Sequence, residues 1–101
     1  MGSRTALQTV LEGILGSGNV YFQPPASVSM NYPAIVYNRD YSAVKFAANK
    51  PYSLTKRYAV TVIDKNPDSS IPDKVAALPM CLFSRHFTAD NLNHDVYNLY
   101  F

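Results

Sequence analysis

Five side chains near the C-terminal end have the types that chemistry needs: Cys81, His86, Asp90, His94 and Asp95. If the segment folds as a hairpin, they converge, and a thiolate, two imidazoles and two carboxylates are zinc ligands by type. Their spacing argues against a metal. There is no C-x-x-C and no H-x-x-x-H, the tight pairs that preorganise a metal site. A Cys81–His86 nucleophile pair meets a geometric objection. Five residues along a regular strand place the two side chains on opposite faces. His94 and Asp95 read as turn-shaping residues and His86 as a strand residue. The apolar run around Cys81 suggests a buried, inert thiol.

The other carboxylates give no hydrolytic pair. Asp64, Asp68 and Asp73 stand in turn and cap contexts, whereas a catalytic pair needs a cleft and a raised pKa. Gly16-Ser17-Gly18 lacks the G-x-G-x-x-G and Gly-Lys-Ser patterns that cradle phosphates. The residues therefore point to no enzyme, no cofactor and no metal. A nucleic-acid module is the competing reading. Tyr41, Tyr52 and Tyr58 interleave with Lys45, Lys50, Lys56 and Arg57, and basic sheets with aromatics stack bases. Against it stand a net charge of only +2 and the missing RNP pattern.

The charge is unevenly spread. Residues 39–57 carry Arg39, Lys45, Lys50, Lys56 and Arg57 against Asp40, a net +4. Residues 58–101 carry five aspartates against Lys65, Lys74 and Arg85, a net −2. A basic middle and an acidic C-terminal half permit head-to-tail contact between copies.

These residues need a scaffold. The chain has 101 residues, 48% apolar and 16% charged, with eight Tyr, no Trp and one Cys. That is one domain, able to bury roughly 65% of its unfolded surface. Tyrosine beyond what a small core holds is common in interfaces, where it supplies area and a polar tip. One cysteine excludes an intrachain disulfide. No apolar window is long enough for a membrane span and no signal-peptide core follows the start, so a soluble protein of a reducing cytosol is expected.

Leu7, Val10, Leu11, Ile14 and Leu15 recur at helical spacing. Thr5 and Gln8 fit a capping box, and Gly16 a C-terminal stop. Asn19–Gln23 reads as a short strand. GSGNVYFQPP around it looks like a viral-protease cleavage site, but Gly18, Val20 and Pro24 depart from that site. The stretch is native, which leaves Met1-Gly2-Ser3 as the only candidate cloning remnant and residues 4–101 as the domain. Tyr32-Pro33 opens a strand through Ala34–Tyr37. Residues 38–57, with a turn at Asn49-Lys50-Pro51 and strand character over 43–47, read either as an extended hairpin or arm or as an ordinary solvent loop. RYAVTVID, apolar on both faces, is a central strand. Ser70 and Asp73 cap a short helix with Pro72 in its first turn and Ile71, Val75 and Leu78 on one face. Strands at Met80–Thr88 and Asp95–Phe101 flank a hairpin at Asp90-Asn91-Leu92-Asn93, and the absence of a polar tail after Phe101 suggests a tied-down end. The order α-β-β-β-α-β-β predicts an α+β fold: a mainly antiparallel sheet with two helices on one face.

The ordered blocks NVYFQPP, YPAIVY, NKPY, KRYAVTVIDKNPDS-x-IPDKV and FSRHFTADNLNHDVYNLYF resemble a group of small structural proteins of long-tailed bacteriophages. These are tail completion or tail terminator-like proteins and minor capsid proteins. The resemblance spans about Leu7 to Phe101. It implies an α+β subunit without enzymatic activity, located in the virion tail or neck and assembled in the host bacterial cytoplasm. It also implies a ring, typically of six copies. The ring would end tail-tube polymerisation, contact the tube protein and the head connector or stopper, and let DNA pass through. A head-closure or connector protein of the same neck is the nearest alternative. Under this reading Arg39, Tyr41, Lys45, Lys50, Tyr52, Lys56 and Arg57 of one subunit would face Asp64, Asp68 and Asp73 of the next.

Overall fold

The structure is a computed structural model that describes residues 4–24, 29–47 and 50–101, with the side chains of 40–47 and 50–55 left out. Helix α1 spans Arg4–Leu15. All of its expected stripe but Val10 joins the core: Leu7 and Leu11 are fully buried, and Ile14 and Leu15 pack at the margin of the same core. Gly16 ends it at φ +80°, a region that glycine enters without steric cost, and its N–H reaches the Glu12 carbonyl at 2.9 Å. The expected capping box does not form. Thr5 lies within the helix, and Gln8 turns toward the sheet instead.

Strand β1 (Val20–Phe22) runs parallel to β2 (Ala34–Ala47), with Val20 opposite Ile35. Strand β3 (Lys50–Asp64) pairs antiparallel with β2. The strand character expected over 43–47 is thus the continuation of β2. Of the arm expected over 38–57, the structure gives this backbone pairing. The side chains of Tyr41, Lys45, Lys50 and Tyr52 lie outside the described residues. Helix α2 (Ile71–Ala76) leads to the hairpin of β4 (Cys81–Ala89) and β5 (Leu92–Tyr100). The sheet order β1-β2-β3-β5-β4 makes β3 the central strand, as its two apolar faces predict, and leaves β4 at an edge.

The fold is α+β, with both helices on one face. Val20, Ile35, Tyr37, Tyr58, Val60, Val62, Tyr97 and Leu99 alternate on that face and meet Leu7, Leu11, Ile71 and Val75 in one core. Around α2 one detail differs from expectation. Ser70 makes no capping bond with its side chain; Ser69 Oγ accepts the Ile71 N–H instead, at 3.3 Å. Asp64 and Asn66 shape the preceding turn, each accepting the N–H two residues on, at 3.0 Å. Among the described residues no helix is long and apolar enough to cross a membrane.

Candidate functional site: two clefts of opposite charge

Two clefts open on the helix-bearing face. The first lies where the start of α1 meets the end of β1 and the middle of β2 and β3. It measures about 350 Å³ and is lined by Arg4, Phe22, Gln23, Arg39, Lys56 and Tyr58. Strand alternation and register bring these together. Arg39 is opposite Tyr58, and Lys56 lies two residues before it on the same face. The Arg4 guanidinium sits 4.8 Å from the centre of the Phe22 ring and 3.5 Å from the Tyr37 hydroxyl. Gln23, at φ +45°, turns its Oε1 to accept the Arg39 backbone N–H at 3.4 Å. Three cations and two aromatic rings line this cleft, with no carboxylate among the described lining residues. Its described lining is therefore cationic.

The second cleft lies between the 64–73 turn, α2 and the β4–β5 hairpin. It measures about 450 Å³ and is lined by Pro67, Asp68, Ser69, Pro72, Asp73, His86, Asp95 and Tyr97. At its floor His86 Nδ1 and Asp95 Oδ1 are 2.8 Å apart. Burial pushes the Tyr97 phenol above its ordinary pKa, helped by the charges of Asp95, Cys81 and Asp73. This cleft carries three carboxylates against one imidazole.

Two expectations for this end fail. Asp95 is a strand residue paired with His86, not a turn former. Cys81 and His86 do not face opposite ways, because the register shifts between Phe83 and Arg85. Cys81 is opposite Leu99, Phe83 opposite Tyr97 and His86 opposite Asp95, so the bulge puts all three on the helix-bearing face. Cys81 itself is half-buried rather than buried, and desolvation raises its pKa above the ordinary thiol value. No group of three or more His, Cys, Asp or Glu among the described residues has the geometry to hold a metal ion.

Of the expected contact residues, Arg39 and Lys56 line the basic cleft and Asp68 and Asp73 the acidic one. Asp64 lies just before the acidic cleft, with its carboxylate engaged by Asn66. Arg57 faces away from both clefts. It stands opposite Tyr100 on the helix-free face, as the neighbour of Lys56 on a strand must. Sequence reasoning left Arg4 and Phe22 unnamed as contact residues, and it singled out His86 and Asp95 as residues a hairpin would bring together without counting them in the contact. The signal available for Phe22 was its two-residue spacing from the buried Val20. For His86 and Asp95 the bulge erased any such signal.

The clefts lie at diagonally opposite corners of one face. Arg39 and Lys56 are on the β1–β2–β3 side, toward the start of β3; Asp95, His86 and the 64–73 turn are on the β5–β4 side, toward its end. The sequence matches no family model, and no curated protein is similar to it.

Proposed function

We propose that the chain is a structural subunit that joins copies of itself head to tail, the basic cleft of one receiving the acidic cleft of the next. The observation that carries this is the diagonal placement of two complementary clefts on one face. A contact between two different patches is heterologous and propagates until a rotation closes it into a ring. With the resemblance to tail-end proteins, this supports a ring subunit of a phage tail or neck, seated between tail tube and head connector. Its role is assembly, not catalysis.

Complementary charge sets register and excludes wrong pairings more than it supplies affinity. The test is therefore a charge swap. Wild-type mass is followed by light scattering over a concentration series, beside Arg39→Glu/Lys56→Glu and Asp68→Lys/Asp73→Lys. Each double variant should stay monomeric and folded, and mixing the two should restore association in alternation, the untouched basic cleft of one variant meeting the untouched acidic cleft of the other and the two inverted clefts meeting each other. Assembly of Arg39→Glu/Lys56→Glu at the wild-type concentration overturns the contact. Binding to single-stranded DNA that weakens steeply with salt, in a chain that forms no assembly, favours the nucleic-acid reading.

A further inference from the structure

Among the described residues the exposed large apolar side chains are Tyr32, Met80, Leu82, Phe83 and Phe87, and of these all but Tyr32 belong to β4 or its lead-in. Leu82 is 63% exposed and Phe83 59%. They flank an edge strand that pairs with β5 on one side only. By register Leu82 lies on the helix-free face with Asn98, and Phe83 on the helix-bearing face with Tyr97. At the start of the strand both faces are therefore apolar beside a row of backbone donors and acceptors, the arrangement that templates pairing with another strand.

The opposite margin of the sheet offers a matching edge. Strand β1 covers β2 only from Ile35 to Tyr37, and the Gln23 side chain takes the Arg39 N–H. Beyond that point, over residues 40–47, no described strand lies on the outer side of β2. This open length is close to that of β4, which has nine residues.

We propose that β4 of one copy pairs antiparallel with residues 40–47 of the next, so that the sheet continues across the subunit contact. This rests on the head-to-tail reading above and names how that contact is built. Strand direction fits. β2 opposes β3, β3 opposes β5 and β5 opposes β4, so β4 runs against β2. Copies related by a rotation about an axis to which the strands are tilted keep those directions while staggering along the strands, and β4 meets the neighbour's β2 antiparallel. The stagger fits as well. Within one chain β4 spans the level of β3 from Tyr58 to Asp64, through their shared partner β5, while residues 40–47 span the level from Arg57 back to Lys50. Pairing the two edges slides one copy toward the start of its neighbour's β3. That slide carries the acidic cleft, beside Asp95 and Tyr97, toward the neighbour's Arg39 and Lys56. One displacement pairs the two backbone edges and brings the opposite charges nearer along one face.

Backbone amide exchange of the whole chain, dilute and concentrated, tests the pairing directly, with Leu82→Lys as the matched variant. Leu82 is exposed in the single chain, so this change leaves the fold intact, which its melting curve verifies. In the assembly, exchange should slow by about tenfold or more in both 81–89 and 40–47. Leu82→Lys should raise the concentration needed for assembly by about tenfold or more, because charge on an edge blocks pairing. Slowing in 81–89 alone means that β4 pairs with another β4 and overturns the proposal. So does assembly with neither segment slowed, or a chain monomeric at every concentration. If the charge swap abolishes assembly while Leu82→Lys assembles as wild type, the cleft contact stands and strand pairing falls. If both segments slow while the charge swap has no effect, strand pairing stands without the clefts.

Discussion

The hydroxyl of Tyr37 donates a 2.6 Å hydrogen bond to Oε1 of Gln8, joining the second strand to the first helix across 29 residues of chain. Gln8 Nε2 donates in turn to the Val20 carbonyl and to Glu12, both at 3.1 Å. Tyr37 is completely buried, with Phe22 and Tyr58 at ring-centre distances of 4.9 and 5.9 Å. One glutamine thus sets the position of α1 over β1 and β2, and with it the placement of Arg4 at the basic cleft. Tyr37→Phe keeps the ring and removes the donor, so it should lower stability by about 1 kcal/mol. Gln8→Ala should cost a similar amount, and the double variant less than the sum, because the two share one bond. Urea unfolding of the four proteins measures it; full additivity would show that the bond contributes nothing.

Much of this scaffold was legible in the sequence, for reasons that also mark where reading stopped. The stripe of Leu7, Leu11, Ile14 and Leu15 and the alternation through Tyr58, Val60 and Val62 record periodic burial, and both lie where periodicity puts them. The polar partners did not show. Gln8 fits a capping box by spacing, but a buried phenol across the fold claims its amide, and spacing carries no trace of a partner 29 residues away. The bulge between Phe83 and Arg85 reverses the facing of everything after it, so His86 joins Asp95 against the alternation rule. The basic-to-acidic split of the chain was readable as composition. Its sorting into two clefts depends on β5 lying between β3 and β4, which is topology.

Leu11 is fully buried between the helices and the sheet, and Leu82 projects from the edge strand. The two leucines should respond oppositely to truncation. Leu11→Ala removes core contacts and leaves a cavity, at a cost of about 2–5 kcal/mol. Leu82→Ala should change the stability of the single chain by no more than about 0.5 kcal/mol. Thermal unfolding at a concentration below that of any assembly separates them. A large loss at Leu82 under those conditions would mean that the edge strand is covered within the chain.

Asp90 and Asn91 form the two-residue turn between β4 and β5, at φ +52° and +62°, with Ala89 paired to Leu92. Two successive positive φ values suit the right-handed twist of the strands on either side, and Asn tolerates them better than most residues. Asn91→Gly should therefore be neutral or stabilising by a few tenths of a kcal/mol. Asn91→Val puts a β-branched side chain at positive φ and should cost about 1–2 kcal/mol. Because His86 and Asp95 lie on the strands that this turn joins, Asn91→Val should also weaken association through the acidic cleft. Unfolding curves and light scattering on the same samples check both effects.

Alkaline pH should destabilise the fold in two steps, set by two groups at the β4–β5 end. Burial raises the Cys81 thiol above its ordinary value of 9.0, and burial followed by the charges of Asp95, Cys81 and Asp73 raises the Tyr97 phenol above 10.0. Below pH 9 both groups are protonated in the folded and unfolded chain and give stability no slope. As pH rises past 9 the unfolded thiol loses its proton while the folded one keeps it. The folded chain then holds more protons, so stability falls with pH until the folded thiol also ionises. Tyr97 adds a second decline that begins near pH 10. Cys81→Ala should remove the earlier step and shrink the later one, to which the thiolate charge contributes, and Tyr97→Phe should remove the later step. The measurement is the urea midpoint from pH 7 to 11 for the three proteins, with the difference from wild type cancelling the lysines and the other tyrosines. Parallel curves for wild type and Cys81→Ala would mean that the thiol is as well hydrated in the folded chain as in the unfolded one.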